Sequence, residues 1–367
     1  MYMKSIFVLA VSAFLAGTTY AQPRYSGITM EKLGRGVVAV RCGAENDSVC
    51  VSWRYKSSDP SDIAFNVYCN GKKLNAVPIK DATFFKCGAS EGNGVYEVRI
   101  ADSAGEHRED GASFKMQSNS GNGYISIPLD VPEPGVSPDG ARYTYSANDA
   151  SVGDVDGDGE YEIILKWDPS NSHDNSHDGY TGNVLFDCYR LDGRKLWRID
   201  LGPNIRAGAH YTQFMVYDLD GDGRSEIVMK TADGTRDGAG KVIGDADADY
   251  RISGQTEGRG RKGGRKMTGR ILEGPEYLTV FNGESGKAMC TVDYVPPRGR
   301  IEAWGDGYGN RCDRFLACVA YLDGKRPSVV MCRGYYTRTV LAAWDWDGKE
   351  LKKKWVFDTD EEQWRRY

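Results

Sequence analysis

Hydrophobic residues in the first third of the chain fall in short runs that alternate with polar residues. Four such runs are Gly36–Val40, Ser48–Trp53, Ala64–Tyr68 and Gly94–Ile100. Short runs rich in Val, Ile, Tyr and Phe with period-two alternation predict β-strands. Turn signals separate the runs, and Asn70-Gly71 is typical of a hairpin. The pattern predicts a set of short antiparallel strands.

The regular spacing of these strands and turns predicts a small β-sandwich at residues 25–118. Trp53 ends an early strand, where a buried Trp is common in such domains. The segment resembles a fibronectin type III-like module, which implies a spacer or packing role, and we assign it no chemistry. A proline-rich stretch follows, so residues 119–145 are predicted to be an ordered linker.

From residue 146 a second pattern repeats three times. Each unit has a strand leading into a turn, a strand leaving it, and then a hairpin around a glycine-containing turn. The first strands are Asp149–Gly153, Gln213–Tyr217 and Phe315–Tyr321, the second strands are Glu162–Trp167, Glu226–Thr231 and Ser328–Arg333, and the hairpins span Val184–Leu201, Tyr277–Tyr294 and Val340–Asp358. Each unit makes a four-stranded sheet, and tandem four-stranded sheets predict propeller blades.

The predicted fold class is therefore all-β: a fibronectin-III-like β-sandwich followed by a partial β-propeller at residues 146–367. Separate sandwich domains would use the same strands, but the even repeat favours a propeller. A propeller needs roughly four to eight blades to close its ring, and three are found. Because an open ring exposes strand edges, we expect the chain to be a fragment or a prematurely ended reading frame.

Two of the three units carry acidic residues at positions 1, 3, 5 and 9 of the turn between their first two strands. Carboxylates this close repel unless a hard cation neutralises them, and oxygen ligands in a flexible loop suit Ca²⁺. An EF-hand does not fit, because its position 12 would be Leu165 in one copy and Met229 in the other. A solvated acidic turn is the remaining alternative.

The sequence thus predicts several calcium ions. The first turn offers Asp154, Asp156, Asp158 and Glu162, and the second offers Asp218, Asp220, Asp222, Arg224 and Glu226. In the third unit Tyr321 and Lys325 replace aspartates, so we assign no calcium there. The long loop that contains His173 and His177 is a further candidate for an ion.

Residues 1–21 have the shape of a secretory signal, with Lys4 before an apolar run and a small-residue cleavage site. No cysteine follows closely, and no other stretch approaches the length of a membrane span. We therefore expect a secreted, periplasmic or cell-surface protein. The formal charge of −5 argues against bulk attraction to nucleic acid. The nine cysteines contain no Cys-x-x-Cys pair, so a zinc site is not supported.

Five runs of sequence carry a family resemblance: Ser146–Gly159, Leu165–Asn171, Asn204–Phe214, Lys230–Thr235 and Arg333–Tyr336. Over roughly residues 25–367 the chain resembles polysaccharide lyase family 11, the rhamnogalacturonan lyases. The resemblance implies an eight-bladed calcium-binding propeller after a β-sandwich. It also implies cleavage of rhamnogalacturonan I, a pectin of alternating rhamnose and galacturonate. The family continues for several more blades, so the chain looks truncated, and a complete chain is expected to be a monomer.

The resemblance also assigns individual residues to substrate contact or to calcium binding. Asn148 and Asp168 fall where the family contacts substrate, and the positions that fall where it binds calcium are Asp149, Asp154, Asp156, Asp158, Glu160 and Glu162. Asp168 departs from the repeat, since Ala232 occupies the equivalent place, which strengthens it as a site candidate. The basic run at 259–266 is interpreted as a solvated insertion, with a subsite for polyanionic pectin as the alternative.

The reaction that the resemblance implies is β-elimination, in which a base removes the C5 proton of galacturonate. His210 is a candidate base because it titrates near neutral pH; metal ligation and loop support are alternatives. Lys230 is a second candidate, although Lys166 recurs at the same repeat position, which favours a structural role. Arg333 could clamp a carboxylate or form a salt bridge between blades. A non-catalytic carbohydrate- or protein-binding propeller and an inactive fragment are the rival functions.

Overall fold

The described part of the chain consists almost entirely of β-strands and turns. The structure is a computed structural model that describes residues 27–89, 94–103, 105–109, 112–253 and 267–361. The predicted signal peptide at 1–21 and the basic run at 259–266 lie outside these residues. A short 3₁₀ helix occupies Ile301–Trp304, and within the described ranges we find no helix with the length and apolar character needed to cross a membrane. The all-β prediction is confirmed.

Eight strands near the N-terminus form two antiparallel sheets. They are β1 (Val38–Cys42), β2 (Ser48–Ser52), β3 (Ala64–Cys69), β4 (Lys72–Lys73), β5 (Phe84–Gly88), β6 (Val95–Asp102), β7 (Gly105–His107) and β8 (Ser113–Lys115). One sheet has the order β1-β2-β5 and the other β4-β3-β6-β7, with β8 also on β6. Val49 and Val51 from one sheet share a core with Val67, Val98 and Trp53. Period-two alternation explains this burial, because every second side chain faces the other sheet.

The predicted linker is ordered and contains two short ribbons. One pairs β9 (Ser120–Gly121) with β10 (Tyr124–Ile125), and the other pairs β11 (Gly135–Val136) with β12 (Arg142–Tyr143). The Asn119 side chain donates to the Leu191 carbonyl (3.1 Å), and the Asp130 amide donates to the Tyr189 hydroxyl (3.1 Å). The linker is therefore held against the sheet that follows it.

Three antiparallel sheets follow in chain order, as the repeat predicts. Their strands are β13 (Tyr145–Gly153), β14 (Glu162–Pro169), β15 (Leu185–Tyr189), β16 (Lys195–Asp200), β17 (Phe214–Tyr217), β18 (Glu226–Ala232), β19 (Thr235–Arg236), β20 (Val242–Ile243), β21 (Glu276–Asn282), β22 (Ala288–Asp293), β23 (Phe315–Ala320), β24 (Ser328–Arg333), β25 (Val340–Trp346) and β26 (Leu351–Asp358). The first sheet is β13-β14-β15-β16-β19-β20, the second β17-β18-β21-β22 and the third β23-β24-β25-β26. The unpredicted β19 and β20 follow β18 in the chain but extend the first sheet.

The second sheet lies between the other two, and its strand β18 shows why. Ile227 and Met229 enter a core shared with the first sheet, while Val228 enters a core shared with the third. Because side chains alternate along a strand, β18 supplies both cores and is buried at every position. The burial on both faces extends to its polar residues Glu226, Lys230 and Thr231.

The segment before β1 crosses the turns of the later sheets. The Thr29 amide donates to the Lys325 carbonyl (2.6 Å), and the Tyr161 hydroxyl donates to Glu31 (3.3 Å). The N-terminal pair of sheets is thereby attached to the edge at which the acidic turns lie.

Candidate metal centres and substrate pocket

The first acidic turn joins β13 to β14 and is closed by hydrogen bonds to its own carboxylates. Asp154 accepts from the amides of Gly157 (2.7 Å) and Gly159 (2.9 Å). Glu162, the first residue of β14, is buried and accepts from the Val155 amide (3.0 Å). The two glycines have φ values of +79° and +91°, which glycine adopts without steric cost. The backbone thus fixes both acidic side chains within the turn.

The second acidic turn, between β17 and β18, repeats these hydrogen bonds. Asp218 accepts from the amides of Gly221 (2.7 Å) and Gly223 (3.0 Å). Glu226 is buried and accepts from the Leu219 amide (2.9 Å). The two turns therefore share one local structure, as their sequences predict.

Three carboxylates converge in each turn, with one oxygen from each lying within 4.8 Å of the others. The groups are Asp154, Asp156 and Glu162 in the first turn, and Asp218, Asp220 and Glu226 in the second. Burial, followed by the neighbouring carboxylates, raises the pKa of Glu162 to about 7 and that of Glu226 to about 8. An all-oxygen donor set in a glycine-containing loop fits Ca²⁺ better than a softer metal.

The other predicted calcium residues lie outside these three-carboxylate groups. Asp158 and Asp222 each accept from the amide two residues further on (2.8 Å). Burial raises the pKa of Glu160. The Arg224 guanidinium bonds Glu284 at 2.6 Å, and it has no lone pair to offer a metal. The side chain of Arg224 is therefore not a ligand, and only its carbonyl is available to an ion.

Basic side chains reach the turns from neighbouring segments. Arg190, from the β15–β16 hairpin, contacts Asp156 and lies 3.1 Å from Asp158. Lys32, before β1, lines a cavity of about 520 Å³ together with both turns. These cations offset part of the negative charge, but none of them belongs to the three-carboxylate groups.

A pocket of about 410 Å³ lies on the first sheet, at the other end of β13 and β14. Its lining is Asn148, Asp149, Lys166, Asp168, Ser172, His173, Asp174, Gly208 and Ala209. It brings together Asn148 and Asp168, the two residues that the resemblance assigns to substrate. Asp149, assigned to calcium by that resemblance, lies here and not in the acidic turn.

A β-bulge shapes this pocket. The strand register shifts between Ala147 and Ala150, so Asn148 and Asp149 together oppose the single residue Lys166. A bulge bends its strand and re-aims side chains, and here it places an amide and a carboxylate beside a lysine. The sequence carries no glycine or proline at this point that would have predicted the bulge.

One lysine and three aspartates line the pocket. Lys166 is buried, and its ammonium group contacts the exposed carboxylate of Asp149. Burial raises the pKa of Asp168, and the nearby Lys166 acts against that rise. An ammonium group, an amide and three carboxylates at one opening suit a sugar ring, since they can bind both hydroxyl groups and a uronate carboxylate.

His210 adjoins the pocket, next to Ala209. Its Nδ1 lies 3.1 Å from the Tyr335 hydroxyl, and its Nε2 lies 4.0 Å from the Asp174 carboxylate. Burial, followed by the charge of Arg314, lowers the pKa of His210 below its usual value. The imidazole is therefore neutral at pH 7, the state in which it can accept a proton.

Lys230 and Arg333 belong instead to a buried ionic cluster around Glu276. The carboxylate of Glu276 accepts from Arg333 (2.6 Å), Arg298 (2.9 Å) and Lys230 (3.1 Å). Arg333 has no exposed surface, and the cluster joins the second sheet to the third. These contacts match the structural alternative, a salt bridge between sheets, and the catalytic assignments of Lys230 and Arg333 stay predictions.

Comparison with known proteins identifies the family. Residues 124–367 match the family described as rhamnogalacturonan lyase family 11, C-terminal domain, and residues 28–115 match the rhamnogalacturonan I lyases beta-sheet domain. The chain belongs to rhamnogalacturonan lyase family 11. The family match spans the three sheets, the pocket and both acidic turns.

Two curated relatives come from Bacillus subtilis. The rhamnogalacturonan exolyase YesX is 57% identical over 332 residues, which cover 90% of this chain and 51% of YesX. The rhamnogalacturonan endolyase YesW is 54% identical over 331 residues, which cover 90% of this chain and 50% of YesW. The chain thus spans about half the length of the curated relatives it matches.

Solved structures give the same relationship. The exotype lyase YesX has a TM-score of 0.82 at 55% identity, covering 93% of this chain and 53% of that one. A rhamnogalacturonan lyase of Bacillus licheniformis has a TM-score of 0.81 at 56% identity, covering 93% and 55%. Over most of this chain, the architecture described above is therefore that of a family member.

Sequence reasoning missed two groups of residues near the predicted ones. Glu276 opens an otherwise apolar strand, a place where an acidic residue signals a buried partner. Arg314, just before β23, lies 3.6 Å from the pocket residue Asp174, and Tyr336, in the turn after β24, lies against Arg314. Tyr336 belongs to the run Arg333–Tyr336 that carries the family resemblance, which is the signal that could have found it.

Proposed function

We propose that this chain forms the β-sandwich and the first three blades of a calcium-binding propeller that cleaves rhamnogalacturonan I by β-elimination. The observation that carries the proposal is the pocket of Asn148, Lys166 and Asp168, in a chain 54–57% identical to proteins named rhamnogalacturonan exolyase and endolyase. The names of these relatives identify rhamnogalacturonan as their substrate, and the pocket of this chain offers polar and charged groups that can bind the sugars of that polymer.

The arrangement of sheets supports a propeller. The first strands of the three sheets, β13, β17 and β23, are neighbours in space. Each sheet then continues outward through its second strand and hairpin. Sheets that pack face to face around their first strands have the arrangement of propeller blades. The two N-terminal sheets, with one shared core, support a sandwich.

The residues of the pocket fit the steps of β-elimination. Lys166 can pair with the galacturonate carboxylate, which stabilises the negative charge that develops when the C5 proton leaves. Asn148 and Asp168 can hold sugar hydroxyl groups and so fix the ring. His210, neutral and beside the pocket, is the group best placed here to accept the proton. The C4–O bond then breaks as a C4=C5 double bond forms, the leaving oxygen takes up a proton from water, and the product is an unsaturated sugar.

Calcium fits the two acidic turns, where it would be held by Asp154, Asp156 and Glu162 and by Asp218, Asp220 and Glu226. When bound, Ca²⁺ supplies the positive charge that converging carboxylates require. The turns lie at the opposite end of β13 and β14 from the pocket, so we assign these ions a structural role.

The test is ultraviolet absorbance of the unsaturated product on incubation with rhamnogalacturonan I. We expect absorbance to rise with the chain, and Asp168→Asn to lower kcat/KM at least about tenfold, equivalent to about 1.4 kcal/mol. Asp192→Asn is the control, because Asp192 is an exposed residue of the β15–β16 turn. If the chain binds the polymer but produces no absorbance, a binding module would replace this proposal. If the chain shows neither binding nor absorbance, it is an inactive fragment.

We also propose export, since residues 1–21 have the sequence of a secretory signal. Expression of the gene with its first 21 codons should place the protein outside the cytoplasm with an N-terminus at Gln22. Protein retained in the cytoplasm with Met1 intact would contradict export without affecting the proposed activity.

A further inference from the structure

A pair of tyrosines, Tyr335 and Tyr336, lies in the turn that follows β24 and is linked to the pocket through Arg314 and His210. Tyr336 has 62% of its surface exposed, and its ring lies 5.1 Å from that of Tyr335. The turn is fixed by Gly334, whose φ is +72° and whose amide donates to the Arg314 carbonyl (2.7 Å). A Cβ on Gly334 would lie 2.3 Å from the Arg338 carbonyl oxygen. The exposed ring therefore stands on a rigid backbone.

The guanidinium group of Arg314 packs against the rings of both Tyr335 and Tyr336. Its guanidinium carbon lies 5.0 Å from the Tyr336 ring centroid and 5.8 Å from that of Tyr335. The same group donates to the Tyr335 hydroxyl (3.3 Å) and to Asn310 (2.8 Å). A buried guanidinium against an aromatic face stabilises the ring in place. Tyr336 is thus pre-ordered, although most of its surface faces solvent.

The tyrosine pair is connected to the pocket through two side chains. Asp174, which lines the pocket, lies 3.6 Å from Arg314. His210, next in sequence to the pocket residue Ala209, contacts the Tyr335 hydroxyl at 3.1 Å. Arg314 thus links Asp174, a residue of the pocket lining, to the ring of Tyr336.

We propose that Tyr336 is the platform of a second sugar subsite, which binds a neutral pyranose ring next to the unit held in the pocket. The inference rests on the proposed function, since it takes the ligand to be a polysaccharide. An exposed, ordered aromatic ring offers an apolar face to the C–H groups of a sugar. A neutral ring is favoured over a uronate, because the negative face of an aromatic ring offers no partner for a carboxylate. In rhamnogalacturonan I, such a ring is rhamnose.

Exposure alone would not distinguish Tyr336 from other surface tyrosines. Tyr124, on the β9–β10 ribbon, is 60% exposed, and single exposed apolar residues are normal. Tyr336 differs in its surroundings, because its ring lies against the buried guanidinium of Arg314, which contacts Asp174 of the polar pocket. Tyr124 is therefore the matched control.

The experiment measures the binding of purified rhamnogalacturonan oligosaccharides of increasing length by calorimetry, together with KM and kcat for the polymer. In Tyr336→Ala, the ratio of the affinity for long oligosaccharides to that for the disaccharide should fall about 3- to 10-fold, the range of an aromatic contact. KM should rise more than kcat falls. Tyr336→Trp should restore the ratio, and Tyr124→Ala should leave it as in the wild type.

The outcomes separate this inference from the proposed function. If Tyr336→Ala keeps the wild-type length dependence while the chain still cleaves the polymer, the subsite is overturned and the activity stands. If the wild-type chain binds with the expected length dependence but releases no unsaturated product, the lyase activity fails and the subsite stands. If the chain binds no oligosaccharide of any length, both are overturned.

Discussion

Replacement of Glu276 by Gln should be among the most damaging single changes in the described chain. The carboxylate of Glu276 accepts hydrogen bonds from three buried cations, Lys230, Arg298 and Arg333. Asp313, at 3.4 Å from Arg333, is the other acidic group of the cluster. An amide of the same shape removes the central negative charge and leaves the cations to repel one another.

The expected loss is large because the cations are buried. Removing one partner of a buried ion pair costs about 3–5 kcal/mol of unfolding free energy. Arg333, followed by Lys230 and Arg298, holds the pKa of Glu276 well below its usual value despite burial. When folding lowers the pKa of a carboxyl group, the group stabilises the folded state at pH values above its unfolded-state pKa. That stability is lost as the pH falls through the folded-state pKa. The loss in Glu276→Gln should therefore be constant between about pH 6 and 8.

Urea unfolding followed by tryptophan fluorescence measures this loss. Glu350→Gln is the control, because Glu350 has a side chain 71% exposed and lies 3.3 Å from Lys352; an exposed pair contributes about 0–1 kcal/mol. A loss below about 1 kcal/mol in Glu276→Gln would refute the argument that this cluster carries uncompensated charge when its carboxylate is removed.

Three further predictions concern the ion turns and the pocket. Without calcium, the raised pKa values of about 7 for Glu162 and about 8 for Glu226 give stability that is present below about pH 4.5 and lost as the pH rises through 7 and 8. Calcium should therefore raise the melting temperature more at pH 8 than at pH 5, and an equal rise at both would contradict the site. Glu226→Gln should weaken calcium binding at least about tenfold, or about 1.4 kcal/mol, in direct titration, whereas Glu284→Gln, an exposed change nearby, should not. Lys166→Met should raise KM for rhamnogalacturonan I at least about tenfold, since a charge-assisted hydrogen bond contributes about 1.5–3 kcal/mol; an unchanged KM in steady-state assays would remove Lys166 from substrate binding.

The local features of the fold follow from the sequence, and the features that depend on neighbouring sheets do not. The two acidic turns could be predicted because their hydrogen bonds join residues at most seven apart. The strand pattern was equally readable, since alternation and turn residues act locally. The sequence could not predict that β19 and β20 join the first sheet, because this depends on the long-range pairing of Asp200 with Arg236. The bulge at Asn148 also lacks a local signal.

Lys166 and Lys230 show how one repeat position acquires two roles. Both lysines are the fifth residue of the strand that leaves an acidic turn. In the second sheet, Lys230 meets Glu276 and the Phe315 ring, with its ammonium group 4.0 Å from the ring centroid, and the third sheet covers it. In the first sheet, the bulge places Asp149 beside Lys166, and the lysine lines an open pocket. The sequence signal is identical, so the difference in role comes from what packs against each strand. The candidate pocket therefore lies where the repeat is locally broken, and the intact repeat supplies the core.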